Sequence, residues 1–151
     1  MAVRSPLSAI SIAGAVCGAL DITAAFLVYG FFGAKPMPLL QGIAAGILGT
    51  ESFQGGWPTA GLGLFLHFVI AFGAATVYYL ASRAFPMLLD RAVLCGAAYG
   101  VAVYFFMNRI VVPLSNARRY PFSLKMMVIG VVIHIFCVGL PIAVSIRRFS
   151  R

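Results

Sequence analysis

Residues 60–82 form an apolar run that carries one histidine, His67, and no formal charge. A helix needs about twenty apolar residues to cross a hydrocarbon core of roughly 30 Å. Inside lipid the backbone must satisfy its own hydrogen bonds, so such a run commits the chain to a membrane-spanning helix. It also sets the main functional question. A histidine at that depth is costly, and it faces a partner or a wet cavity.

Three further runs of similar character, 7–32, 92–112 and 124–146, accompany it. With 62% hydrophobic and 9% charged residues, the chain lies outside the composition of soluble domains. The expected fold is all-α: a single polytopic four-helix bundle in the membrane. The first run follows Pro6 and is closed by Gly33-Ala34-Lys35-Pro36; its length and its internal Asp21 argue for a mature helix rather than a secretion signal. The third run stops at Pro113, and Pro141 should kink the fourth. Gly14 with Gly18, and Gly96 with Gly100, are spaced for close helix packing. Cys17, Cys95 and Cys137 sit singly in separate runs and read as small apolar residues.

The longest connection, 35–59, contains an apolar stretch at 37–50 that is only about half a span long. Such a segment lies in the interface as an amphipathic linker or dips in and returns as a re-entrant lid. Trp57 suits the headgroup layer before the second span, and Tyr78, Tyr79 and Arg83 carry the same aromatic and basic signature at its other end.

The net charge of +8 does not signal nucleic acid, because the eleven Lys and Arg residues fall almost entirely between the runs and at the termini. Arg118, Arg119, Arg147 and Arg148 read as anchors for anionic headgroups of the bilayer. With both termini inside, Arg4, Arg83, Arg91, Arg147, Arg148 and Arg151 face the cytoplasm, against Lys35, Arg109, Arg118, Arg119 and Lys125 outside. That is a narrow bias toward cytoplasmic termini.

Counting the helical rise from each end places Asp21, His67, Arg109 and His134 in the outer half of the core, with Asn108 beside Arg109. Asp21 is expected roughly 21 Å and Arg109 roughly 26 Å from the inner face; His67 and His134 are expected about 10 and 14 Å below the outer one. One expectation is purely structural: an Asp21–Arg109 tie, with neutral histidines bonded to neighbouring helices. Three functional expectations stand beside it. Asp21 and the histidines handle protons, with Arg109 and Asn108 holding a small anionic solute. Alternatively, the chain is an accessory or assembly subunit of a larger complex or a homodimer, docking through its GxxxG faces. In the third, His67 and His134 are the axial ligands of one haem b, or with Asp21 hold a metal.

An enzyme has little to stand on, since the chain has three acidic residues and no GxSxG, HExxH or phosphate-loop motif. The stretch Gln41-Gly42-Ile43-Ala44-Ala45-Gly46-Ile47-Leu48-Gly49, the run Gly55-Gly56-Trp57-Pro58-Thr59-Ala60, the helix from His67 to Tyr78-Tyr79-Leu80-Ala81-Ser82-Arg83, and Tyr99-Gly100-Val101 with Asn108 resemble a family of small uncharacterised bacterial inner-membrane proteins with four spans. The resemblance implies a multi-pass inner-membrane location and brings no activity or ligand with it.

Overall fold

A computed structural model describes residues 5–150; Arg4 and Arg151, counted in the charge bias above, lie outside the described residues. The fold is all-α, with no strand among the described residues. Four helices are long and apolar enough to cross a membrane: α1 (Pro6–Phe31), α3 (Gly56–Ala84), α5 (Ala92–Leu114) and α6 (Leu124–Phe149). Between them lie α2 (Pro36–Leu48), extended by a 3-10 segment over Gly49–Gln54, and a single turn, α4 (Met87–Asp90). The chain is an integral, multi-pass membrane protein. Its outward surface agrees: Leu27, Phe65, Val77 and Leu94 are each more than half exposed along the spans, an apolar belt that only lipid or another apolar surface covers.

Local chemistry explains the ends. Ser5 caps α1, its hydroxyl accepting from the Ser8 amide at 3.3 Å, with Pro6 in the first turn where no donor is needed. Ser123 caps α6 in the same way. Gly33, Gly49 and Gly56 are the positive-φ residues of the described chain, and all three lie in the first connection, where they turn the backbone into α2, out of it and into α3.

α5 ends at Leu114, one residue past Pro113, while α6 continues through Pro141, and both helices widen ahead of the proline. Met107–Val111 and His134–Gly139 are wound as π turns, each ending two residues before its proline, Pro113 or Pro141. Proline lacks the amide donor, and its ring crowds the carbonyl four residues back, here Arg109 and Cys137. Both carbonyls sit inside the widened turns, which moves them away from the ring.

α6 is the central helix and packs on both α1 and α5; α3 lies on α1, and α2 lies on α3. The glycines decide how closely these helices approach. A methyl group on Gly100 would overlap the His134 carbonyl oxygen, and one on Gly139 would overlap the Gly96 carbonyl, so α5 and α6 touch backbone to backbone. The Cα–H groups there aim at carbonyl oxygens, a weak but cumulative attraction. On the other side, Gly14 and Gly18 of α1 receive the rings of Phe72 and Phe68 from α3. Both GxxxG faces are thus filled from within the chain and are not free docking faces.

The first connection is neither a loose linker nor a separate span. α2 lies across the first two turns of α3, its Leu40 carbonyl against Gly63. Its far end is closed by the connection between α5 and α6: the Asn116 backbone amide donates to the Gly46 carbonyl and its side-chain amide to the Ile47 carbonyl, each at 3.0 Å. These are end carbonyls that α2 itself leaves without partners.

Tyr78 corrects the sequence reading of an outward interface aromatic. It is 1% exposed, packs on Tyr99 with ring centroids 5.0 Å apart, and donates to the Leu88 carbonyl at 2.9 Å. Its place on the inward stripe with Ala71, Ala75 and Ser82 outweighs the interfacial preference of tyrosine.

Replacing Gly100 or Gly139 by alanine should destabilise the bundle by about 1–3 kcal/mol, because backbone cannot move aside as a side chain can. Gly73→Ala, where nothing lies within 4 Å of the added methyl, should stabilise by about 0.5–1 kcal/mol. Unfolding in mixed micelles by denaturing detergent reads both; equal effects at the three sites would contradict this packing.

Candidate functional site

Three of the five residues singled out from sequence share one depth. Asp21 lies ten residues before the end of α1 at Phe31, His67 eleven residues after Gly56, and His134 ten residues after Leu124. All three stand about 15 Å from the α2 end of the bundle, near the middle of a hydrocarbon core. Asn108 and Arg109 do not belong to this layer. They are exposed on the π turn of α5, five to six residues from its end at Leu114, and the Asn108 amide donates to the Tyr104 carbonyl of its own helix at 2.9 Å. The expected Asp21–Arg109 tie is not formed among the described residues. Arg109 is close enough to the helix end for its long side chain to reach the headgroups.

The two histidines are half-buried and engaged with backbone. His67 donates Nε2–H to the Gly18 carbonyl of α1 at 2.8 Å; a carbonyl can only accept, which fixes the tautomer. This bond ties α3 to the turn of α1 that precedes Asp21. His134 donates Nδ1–H to the Gly130 carbonyl of its own helix at 2.9 Å and sets its ring edge-on to Tyr104, with centroids 5.3 Å apart.

A metal-ligating histidine usually donates one ring N–H to a carbonyl and presents the other nitrogen to the metal. His134 meets that pattern with Nε2 left over. His67 spends Nε2 on α1 and retains only Nδ1, beside its own backbone. One ring is bonded to α1 and the other packs edge-on to Tyr104 of α5. Among the described residues no three His, Cys, Asp or Glu side chains are arranged to hold a metal ion.

Asp21 is the outlier in this arrangement. It is half-buried, makes no ion pair among the described residues, and lies near Cys17 and Tyr29 of α1 and Cys137 in the π turn of α6. Those neighbours are neutral at ordinary pH. All three cysteines are free.

No family model matches the chain, and neither a curated protein nor a solved structure does. The site therefore stands on its own geometry.

Several polar contacts escaped sequence reasoning. The Tyr99 hydroxyl donates to the Ala74 carbonyl at 2.8 Å and links α5 to α3. Under α2, the Gln41 amide donates to the Gly56 carbonyl and the Thr59 hydroxyl, while Thr59 donates to the Ser52 carbonyl at 2.6 Å. The Ser52 hydroxyl beside them is buried without a partner. A lone Gln in an otherwise apolar helix was the one available signal. The basic residues of the α5–α6 connection are also engaged: Arg119 donates to the Pro113 carbonyl at 2.6 Å, closing α5, and Arg118 stacks over Tyr120. Trp57 is 76% exposed at the start of α3, a place suited to the headgroup layer.

His67→Ala should cost about 1–2 kcal/mol of stability through the lost interhelical bond, with part of the loss restored by His67→Gln, which keeps a donor. Protein purified from cells with ample haem should show no Soret band; a band lost in both His67→Ala and His134→Ala would overturn this account of the histidines.

Proposed function

We propose that this is a non-enzymatic membrane protein whose intramembrane polar layer handles protons or a small solute, with Asp21 as the group that cycles. The observation that carries the reading is a mid-span carboxyl with no cationic partner among the described residues. In hydrocarbon such a group is held by a proton or by a cation that arrives from elsewhere. The π turn of α6 beside it supports the same reading, since widened turns concentrate at working sites in helices. His67 and His134 share its depth and are the only side chains of the chain whose ordinary range spans neutral pH. Asn108 and Arg109, nearer the α2 end, are placed to attract an anionic solute before it reaches the layer.

In this proposal the chain resides in a bacterial inner membrane with both termini in the cytoplasm, in keeping with the excess of basic residues at the terminal end and with the resemblance noted above. A second reading, as an accessory subunit or homodimer, draws on the exposure of Asn108 and Arg109 within a span. Polar groups on a lipid-facing helix are suited to a partner helix. Extraction in mild detergent followed by mass measurement would recover a stoichiometric partner or a second copy under that reading.

Liposomes carrying the protein and an internal pH dye, placed in a pH gradient, should dissipate it several-fold faster than liposomes carrying Asp21→Asn. Wild-type and Asp21→Asn liposomes that behave alike would sink the proton-handling reading.

A further inference from the structure

At the opposite end of the bundle from α2, the turn α4, the start of α5 and the end of α6 line a shallow, open cleft of about 430 Å³. Its lining is mostly apolar and includes Val93, Leu94 and Ala97, with Asp90, Arg91 and Arg147 at its margin. Asp90 has an interaction partner within the protein. Both arginines are exposed beside the cleft, and the one carboxylate there is already engaged.

The position of these groups along the helices identifies what they address. Arg91 immediately precedes α5, and Arg147 lies in the last turn of α6, so both stand at the same membrane–water boundary. Val93 and Leu94, in the first turn of α5, are 64% and 66% exposed. They point an apolar surface outward directly below the charged rim. A soluble anion would use the rim and leave this wall idle. A zwitterionic lipid would bring its own cation up to two guanidinium groups.

We propose that this cleft is a discrete site for one anionic phospholipid, with the headgroup phosphate held between Arg91 and Arg147 and an acyl chain laid along Val93, Leu94 and Ala97. Guanidinium groups bind phosphate oxygens through paired, charge-assisted hydrogen bonds, which gives the site a geometry beyond general attraction to a negative surface. The opposite end offers the contrast. There Arg119 is spent on the Pro113 carbonyl and Arg118 on the Tyr120 ring. The site is independent of the Asp21 layer, since it uses none of its residues.

The test is lipid binding to the full chain in phosphatidylcholine nanodiscs doped with phosphatidylglycerol, read by native mass spectrometry of the released protein. One phosphatidylglycerol should bind saturably. Arg91→Gln and Arg147→Gln should each weaken it by about tenfold, the order expected when a charge-assisted contact is lost. The double variant Arg118→Gln/Arg119→Gln should leave it unchanged. Arg147→Lys keeps the charge and loses the paired geometry, so it should bind less well than wild type while folding as wild type does, as judged by helical circular dichroism. The proposal fails if phosphatidylcholine binds equally well, or if the variants at both ends weaken binding alike, which would indicate surface charge alone. It also fails if inorganic phosphate or glycerol phosphate displaces the lipid at comparable concentration, because the ligand would then be a soluble anion.

Discussion

The contact of α5 with α6, backbone against backbone, is the constraint around which the bundle is arranged. Lipid tails are as apolar as leucine, so helices in a membrane gain little from hiding apolar side chains and associate through close packing instead. At Gly96, Gly100 and Gly139 the two main chains come near enough for Cα–H groups to meet carbonyl oxygens, and no larger residue fits. The His134 carbonyl that meets Gly100 opens the widened turn ahead of Pro141. The proline, the π turn and the glycines therefore form one feature: the widening that accommodates Pro141 also presents main chain to α5. α6, held in this way, becomes the central helix on which α1 also packs.

The same economy governs polar side chains facing inward. His67, Tyr78, Tyr99 and Thr59 each donate to a backbone carbonyl of another helical element. A carbonyl has two lone pairs and can accept a second bond without losing its helical one. Helices thereby gain polar ties without a matching polar side chain opposite. Asp21 cannot join this scheme, since an ionised carboxylate only accepts and helix carbonyls have nothing to donate. The absence of an ion pair for it among the described residues follows from its chemistry as much as from its position.

The two ends of the bundle differ in kind. At one, α2 covers the start of α3, Asn116 closes its last turn, and Arg118 and Arg119 are engaged by Tyr120 and Pro113. Lys125 adds a further tie, its ammonium 4.6 Å from the ring centre of Phe32. At the other, Arg91 and Arg147 rim an open cleft with an apolar wall below. One end is closed by its own side chains, while the other presents cations toward the headgroup layer.

Much of this architecture was legible in the sequence. Apolar length and composition determined four spanning helices, because a bilayer admits no other arrangement for such runs, and the helical rise placed Asp21, His67 and His134 at one depth. Rotation about each helix axis was not legible, since runs that are apolar all round carry no periodic signal of which face turns inward. That rotation sent Asn108 and Arg109 outward and Tyr78 inward, and it separated His67 from His134 by giving each a different carbonyl. Pro113 and Pro141 announced a break in helical bonding but not its form, which is a widened turn ahead of each proline. The sequence by itself determined the spans, their depths and the presence of an acid within one of them. Only the tertiary structure decided which polar groups meet, because that depends on where glycine lets two main chains touch.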